Sequence, residues 1–251
     1  MQAAVVLTPA LSKRLIAKGV AALPQVAAAR EAGRIVVTFG TTNAFVAEEL
    51  LGEPIDRAAF AAGFVDDRWN INARLGELGE IILDRGKRVE CSPEETLAAL
   101  ASGDVVIKGG NALDPEGVVG VLMGSPTGGT VGRYVASCLA RGVELIIPIS
   151  LIKSIHDSIV DLAGEMGIGQ VSAPRGIPCG LFPLHGLVVT EIVALEGLFP
   201  VRARHVASGG VGIGAGSVSV LIEGEDAAVH SALAWIESAR DEGDVGLTGR
   251  A

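Results

Sequence analysis

The sequence predicts an α/β fold with a doubly wound, mostly parallel sheet. Over residues 35–166, apolar strands alternate with amphipathic helices, and glycine-rich turns join several strands to the helices that follow. A stretch rich in proline and glycine at 173–186 predicts a connector. Beyond it, strand and helix patterns predict a small α+β unit of ferredoxin-like type. We therefore divide the chain into an α/β ligand-binding domain at 1–180 and a small α+β domain at 187–251.

The bulk composition limits the classes of partner. The chain has 251 residues, 49% of them hydrophobic, and a formal net charge of −9. It is long enough for one large domain or two unequal ones. Without a basic patch, we expect no nucleic-acid partner and no binding to an anionic membrane surface. No apolar run reaches the ~20 residues that a membrane helix needs, and the N-terminus lacks a secretory signal, so we expect a cytoplasmic protein.

The cysteines and histidines do not form a metal-binding pattern. Cys91, Cys138 and Cys179 are an odd number with no CxxC spacing, which argues against a disulfide framework. Cys179 and His185 lie six residues apart, but a small hydrophobic cysteine and a surface histidine are the more common case. We therefore predict no metal site and no cofactor.

The first candidate binding loop follows the apolar strand at 35–39 and begins the next helix. Its glycine permits a sharp turn, and Thr42 or Asn43 can cap the helix. Several backbone N–H groups then point to one place, where the helix dipole attracts an anion. An ordinary strand–helix turn with an ordinary cap is the alternative. The loop residues are Gly40, Thr41, Thr42 and Asn43.

Two further glycine-containing loops are candidates for the same site. One follows the strand at 104–108, and the other precedes a helix predicted at 131–141. Ligands of such sheets bind beyond the carboxyl ends of the strands, so the three loops are placed to share one edge. The residues added by these loops are Gly109, Gly110, Asn111, Gly128 and Gly129.

Charged residues near these loops are candidates for binding or catalysis. Lys108, at a strand end, is either a solvated charge or a ligand-binding cation or amine tuned by burial. Asp114 and Glu116 are a candidate general acid/base pair, with solvated loop acids as the alternative. Lys153, at the start of a helix predicted over 153–166, opposes the helix dipole. It therefore either pairs with a bound anion or points outward.

Three segments in this order resemble a known superfamily: VVTFGTTNAFVAEELLG, DVVIKGGNALDPEG and GGTVGRYVASCLARGVELIIPISLIKS. They are similar to ribose-5-phosphate isomerases, glucosamine-6-phosphate deaminases and CoA-transferases, and to the related methylthioribose-phosphate isomerases and lactate-utilisation proteins. The resemblance covers roughly half the chain, and it rests on order and spacing. It implies an isomerase/CoA-transferase-like sheet in which residues 40–43 hold a phosphate, with further loops at Gly128, Gly129 and 148–150.

The resemblance also bears on single residues. It implies a substrate-binding role for Lys108, and it faintly likens Glu116 to the nucleophilic glutamate of CoA-transferases. It places Asn111 where the superfamily has a catalytic aspartate. Because an amide cannot take a proton, we expect no isomerisation through Asn111, while Asp114 or Glu116 remain possible bases.

The function expected from these residues is the binding of a small anionic metabolite, either a sugar phosphate or a CoA ester. The protein is then an isomerase- or transferase-like enzyme or, alternatively, a non-catalytic ligand-sensing or assembly protein. A C-terminal unit of about 60 residues buries little surface by itself. We therefore expect it to pack on the main domain or on a second subunit, and we expect a homo-oligomer.

Overall fold

A computed structural model describes residues 1–66 and 78–246, so the last five residues of the predicted C-terminal domain lie outside the described part. The strands are β1 (Gln2–Leu7), β2 (Arg34–Val37), β3 (Ile81–Asp84), β4 (Lys87–Val89), β5 (Val105–Ile107), β6 (Ala112–Leu113), β7 (Val119–Met123), β8 (Glu144–Pro148), β9 (Gly180–Leu184), β10 (Leu187–Val189), β11 (Val201–Gly209) and β12 (Ser217–Gly224). The α-helices are α1 (Pro9–Ala21), α2 (Pro24–Ala32), α3 (Thr41–Leu51), α4 (Arg57–Phe60), α5 (Pro93–Ala99), α6 (Gly129–Arg141), α7 (Ile159–Glu165), α8 (Glu191–Leu198) and α9 (Asp226–Ser238).

A mixed six-stranded sheet forms the centre of the fold, in the order β10-β8-β5-β2-β3-β4. The strands β2, β5, β8 and β10 are parallel, whereas β3 and β4 are antiparallel to their neighbours. The predicted α/β class is therefore confirmed. Because these four strands are parallel, their carboxyl ends share one edge of the sheet.

Alternate residues of the central strands face two different layers, as the pleat of a strand requires. On β2, Ile35 and Val37 pack in one buried cluster with residues of α1, α3 and α8. Val36 faces a second cluster that contains Tyr134 of α6. Strands buried on both faces explain the nearly continuous apolar run at 35–39.

A separate antiparallel sheet joins the two ends of the chain. Its order is β1-β12-β11, and Gln2 of β1 aligns with Glu223 of β12. Leu7 and Val220, from β1 and β12, are buried in the cluster that also contains α1 and α3. The segment predicted as the C-terminal unit therefore contributes β11 and β12 to this sheet, but it contributes β10 to the main sheet.

Three local predictions are wrong for identifiable reasons. The apolar run at 187–195 predicts the first strand of the C-terminal unit, but the strand stops at Val189, because the Thr190 side chain accepts from Val193 N and begins α8. The helix expected over 153–166 is only α7, which Ser158 caps. Part of the expected connector forms β9, which pairs with β7 at an edge of the small sheet β6-β7-β9. An edge strand tolerates Pro183, which has no N–H to donate.

Candidate functional site

A cavity of about 420 Å³ lies beyond the carboxyl ends of β2, β5 and β8. Its walls come from the segments that directly follow these strands, together with the start of α6 and parts of β7. The predicted binding residues that line it are Gly40, Thr41, Thr42, Asn43, Lys108, Gly109, Gly110, Asn111, Gly128, Gly129 and Lys153. The structure therefore brings these eleven residues to one place.

The N-terminus of α3 faces this cavity without a side-chain cap. The cap position is Gly40, whose φ of 155° suits glycine, so neither Thr42 nor Asn43 caps the helix as expected. Within the described part of the chain, the backbone N–H groups of Thr41, Thr42 and Asn43 have no acceptor. These groups carry the positive end of the α3 dipole.

The side chain of Asn43 has another role. Its Nδ2 donates to the carbonyl oxygens of Thr38 at 2.8 Å and Ile107 at 3.3 Å, which fixes the orientation of the amide. The Oδ1 atom has no donor among the described residues, although Asn43 is only 1% exposed and lines the cavity. A buried acceptor without a donor costs about 1–3 kcal/mol, and this oxygen has almost no surface that a ligand in the cavity could contact.

The N-terminus of α6 faces the same cavity and also lacks a side-chain cap. Gly128 and Gly129 have φ of 76° and 57°, which favour glycine. No described residue accepts from the N–H groups of Gly129, Thr130 and Val131. Hydroxyl side chains cap α1, α5, α7 and α8, whereas α2 and α9 also lack a side-chain cap but contribute no residue to the cavity wall. Two uncapped helix N-termini thus present six N–H groups to one cavity.

Two lysines add positive charge at the cavity wall. Lys108 is 8% exposed, and its Nζ donates to Gly109 O at 3.2 Å. Lys153 is half-buried, and its Nζ donates to Gly110 O at 2.6 Å. Neither ammonium pairs with a carboxylate of the described residues. Each therefore keeps further hydrogens for a ligand.

Burial and like charge make both lysines easier to deprotonate. Burial and, to a smaller extent, the charge of Lys153 lower the pKa of Lys108 to about 8, although the charge of Glu80 acts in the opposite direction. Burial likewise lowers the pKa of Lys153 to about 8, with a smaller contribution from Lys13. An anion bound between the two ammonium groups would offset both effects.

The position of Lys153 depends on a buried glutamate. Lys153 ends a 3₁₀ helix at Leu151–Lys153 instead of starting an α-helix. Glu191, which is fully buried, accepts hydrogen bonds from the hydroxyl of Ser150 and from Leu151 N, the latter at 2.9 Å. These bonds tie the 3₁₀ helix to α8 and direct Lys153 toward Gly110.

Arg133 is a lining residue that the sequence reasoning missed. Its Nη1 donates to Glu80 Oε1 at 3.1 Å, and the hydroxyl of Tyr134 donates to Glu80 Oε2. Burial raises the pKa of Glu80, while the Tyr134 hydrogen bond and the charges of Arg133 and Lys108 act against the rise. In the helix predicted over 131–141, Arg133 lies in the first turn, where a basic residue opposes the helix dipole. This signal, already applied to Lys153, also identifies Arg133, although α6 begins two residues earlier, at Gly129.

Asn111 lines the cavity with both ends of its amide engaged. Its Nδ2 donates to Gly63 O at 2.7 Å, and its Oδ1 accepts from Leu122 N at 3.0 Å. The side chain thereby ties the segment at 61–64 to β7. Gly63 and Leu122 also line the cavity, so Asn111 shapes the wall.

Asp114 and Glu116 do not line the cavity. Asp114 is buried, and its Oδ1 accepts from Glu116 N at 3.1 Å and from Val118 N at 2.8 Å. Its Oδ2 accepts from Ile159 N at 3.1 Å, which joins the loop to α7. Glu116 is exposed. Both side chains therefore lie apart from the other candidate residues.

The described residues also bear on metal binding and on membrane insertion. In the ranges 1–66 and 78–246, no group of three or more His, Cys, Asp or Glu side chains could hold a metal ion. Burial raises the pKa of Cys179, and His185 is exposed. Over the same ranges, no helix has the length and apolar character required to cross a membrane.

Comparisons with protein-family models, with curated proteins and with solved structures find no match to this chain.

Proposed function

We propose that the protein binds a small phosphorylated metabolite, of the sugar phosphate class, in the cavity between α3 and α6. The observation that carries this proposal is the convergence on one cavity of two helix N-termini without side-chain caps and two lysines that pair with no carboxylate of the described residues. Helix N-termini bind phosphate through their free N–H groups and their dipoles. The proposal assigns the phosphate to residues 40–43 and 128–131, with Lys108 and Lys153 as its cations.

The size and polarity of the cavity favour a sugar phosphate over a CoA ester. A volume of about 420 Å³ is near the small end of the usual range for ligand sites, about 300–1,000 Å³. The lining residues Thr41 and Thr130 carry hydroxyl groups, which suit the hydroxyl groups of a sugar. Phe39, Phe64 and Val121 provide apolar surface for a carbon skeleton.

The resemblance to sugar-phosphate isomerases and CoA-transferases supports the same ligand class and a doubly wound arrangement of the sheet. The resemblance does not extend to the proton transfer that the sugar-phosphate isomerases catalyse. The residue at the expected acid position is Asn111, and the carboxylates of Asp114 and Glu116 lie outside the cavity. The proposal therefore contains ligand binding without carboxylate-driven isomerisation.

Thermal unfolding with matched ligands tests the binding proposal. We expect ribose 5-phosphate and glucose 6-phosphate to raise the Tm, the unphosphorylated sugars to leave it unchanged, and inorganic phosphate to raise it less. A ligand at 100 times its Kd stabilises a protein by about 2.7 kcal/mol. The variants K108M and T42V should reduce the shift, whereas K87M, which alters an exposed lysine, should not.

Two outcomes would contradict this assignment. If no phosphorylated compound raises the Tm, the cavity is not an anion site. If acetyl-CoA raises the Tm more than both sugar phosphates do, the ligand class is the CoA esters instead.

We also propose that the protein forms a homo-oligomer through the β11–β12 hairpin. β11 is an edge strand of its sheet, and Val206, Val211 and Ile213 are exposed on it or on the following turn. Exposed apolar side chains beside a free strand edge favour pairing between chains. Light scattering should give a multiple of the 25.6 kDa chain mass, and I213E should lower it. A wild-type mass of one chain would exclude this proposal.

A further inference from the structure

We propose that Lys108 is a nucleophilic amine that forms an imine with a carbonyl carbon of the bound ligand. The inference rests on the proposed function, because the phosphate site is what would hold the carbonyl near the amine. It adds a covalent step to binding, and it narrows the substrate class to phosphorylated aldehydes and ketones.

The geometry places the Lys108 amine inside the cavity on a rigid element. Lys108 directly follows β5, and its backbone N donates to Ile146 O at 2.9 Å. Its side chain is 8% exposed and lines the cavity beside both helix N-termini. Among the described residues, Gly109 O is the sole acceptor for its Nζ. The amine is therefore held in place without an ion pair to a described carboxylate, although the charge of Glu80 still favours its protonated form.

The surrounding charges favour the neutral amine that the reaction needs. Lys108 and Lys153 line the same cavity, where they donate to the carbonyl oxygens of Gly109 and Gly110, and the charge of Lys153 acts on Lys108. An amine beside a second cation, in a desolvated site, loses its proton more easily and becomes a nucleophile. The pKa of about 8 for Lys108 agrees with this, compared with about 10.4 for a free lysine.

The chemistry balances without an oxidant or reductant. The neutral Lys108 Nζ attacks the carbonyl carbon, a C–N bond forms, and the π electrons of the carbonyl move to its oxygen. That oxygen takes a proton from the Lys153 ammonium, which lines the same cavity. The nitrogen then gives up its two protons, one to the oxygen, which leaves as water when the C–O bond breaks, and one to the Lys153 amine, which becomes an ammonium again. The nitrogen lone pair completes the C=N bond. Hydrolysis reverses these steps and releases the ligand.

Pyridoxal 5′-phosphate is a suitable probe because it carries an aldehyde and a phosphate on one small ring. The full-length protein is incubated with the probe, reduced with sodium borohydride, digested and mapped by mass spectrometry. The chain has only five lysines, at positions 13, 18, 87, 108 and 153, so each adduct can be assigned. We expect the main adduct on Lys108, and we expect inorganic phosphate to suppress it.

Three variants sharpen the assignment. K108R should lose the adduct, and its thermal unfolding in the presence of phosphate shows whether its fold and its anion site persist. K87R, at an exposed position, should retain the Lys108 adduct in full. K153R should retain a phosphate-protected adduct on Lys108, because the cation beside it is preserved.

The possible failures can be told apart. An adduct mainly on Lys153, or on surface lysines without protection by phosphate, would overturn the role of Lys108. If pyridoxal 5′-phosphate raises the Tm but reduction leaves Lys108 unmodified, the imine is excluded and the binding proposal stands. If neither the probe nor phosphate raises the Tm and no adduct forms, both proposals fail.

Discussion

At the level of single residues, Asn111 shows why an aspartate cannot simply be restored at the expected acid position. Its amide donates to Gly63 O and accepts from Leu122 N, a pair of roles that an ionised carboxylate cannot fill. In N111D, a carboxylate oxygen would face the Gly63 carbonyl oxygen. We expect a loss of about 1–3 kcal/mol in the free energy of unfolding at neutral pH, measured by urea unfolding.

The pH dependence of N111D supplies an internal control. When the new carboxyl is protonated it can donate to Gly63 O, so the deficit relative to wild type should shrink as the pH falls. We also expect N111D to show no aldose–ketose interconversion, because no second acid lines the cavity among the described residues. Robust isomerisation by N111D, or an unchanged stability at neutral pH, would contradict this account of the side chain.

The lowered pKa values of Lys108 and Lys153 predict how the free energy of unfolding depends on pH. In the folded protein their pKa values are about 8, below the value of about 10.4 for an unfolded chain. As the pH rises above 8, the folded state loses protons that the unfolded state retains. The ligand-free protein should therefore become more stable from this source. Over the same interval, stabilisation by phosphate should fall, because the cations are lost.

A comparison of wild type with K108M isolates the contribution of Lys108 to the rise of the unfolding free energy with pH. Burial also raises the pKa of Cys138 to about 11 and that of Tyr134, and these groups destabilise the folded state as the pH rises above about 9. Urea unfolding between about pH 7 and pH 9, with and without phosphate, should show a smaller upward slope in K108M. Equal slopes in the two proteins would show that Lys108 is not desolvated as described.

At the level of elements, the start of α6 depends on close approach of its own chain. A Cβ on Gly132 would lie 1.9 Å from Thr127 O, which is backbone and cannot move aside cheaply. G132A should therefore displace the loop at 124–129, lower the Tm by several degrees and weaken phosphate binding. The matched control is G164A in α7, where a Cβ would meet no atom within 4 Å, and where alanine should leave the Tm unchanged or raise it. Equal effects of the two substitutions would contradict this reading of the α6 N-terminus.

The elements that could be predicted from the sequence are those with local signals. Alternation of apolar strands and helices located β2, β5 and β8, and the edge rule for parallel strands correctly placed three loops at one cavity. The prediction failed where distant pairing decides the structure. β1 is a strand because it pairs with β12, some 215 residues away, and β9 forms within a proline-rich stretch because β7 offers it an edge.

The candidate site was likewise predictable only where the sequence carries a local signal. Glycines at the starts of α3 and α6 carry a local signal, since a glycine at the cap position has no side chain to occupy the first backbone N–H groups. The sequence carries no local signal for the environments of Asp114 and Glu191, because it does not show which backbone N–H groups will surround a carboxylate. Asp114 is occupied by three such groups. Glu191, which was not singled out, holds the turn that positions Lys153.

At the level of the whole molecule, charge is distributed unevenly. The chain carries a formal net charge of −9, yet the cavity is lined by Lys108, Arg133 and Lys153 and by two positive helix ends. The overall charge disfavours long-range attraction of anions. The proposed binding would therefore depend on short-range contacts in the cavity, and the affinity for phosphate should be less sensitive to salt than that of a broad basic surface.

A buried ion-pair network joins segments from both ends of the chain. Arg14 of α1 and Arg57 of α4 both donate to Glu48 of α3 and to Glu242, which follows α9. The four side chains are between 6% and 17% exposed. The network thus fastens the segment after α9 to the helices that carry the cavity. It lies near the carboxyl end of α3, away from the N-terminus that faces the cavity.

This network predicts a contribution to stability that is lost in acid. Burial alone raises the pKa of Glu242, but hydrogen bonds from Arg14 and Arg57 outweigh it, and the net pKa lies below the ordinary 4.5. A carboxylate with a lowered pKa stabilises the folded state above about pH 4.5, and the stabilisation disappears as the pH falls through the folded value. E242Q should lose about 1.5–3 kcal/mol of unfolding free energy at pH 7, and this deficit should narrow at pH 3–4.

The control is E237Q, because Glu237 is 69% exposed in its pair with Arg240 and should contribute little. Urea unfolding of wild type, E242Q and E237Q at pH 7 and at pH 3–4 measures these differences in unfolding free energy. An E242Q deficit that stays constant with pH, or that E237Q reproduces, would show that the network does not hold the C-terminal segment in place.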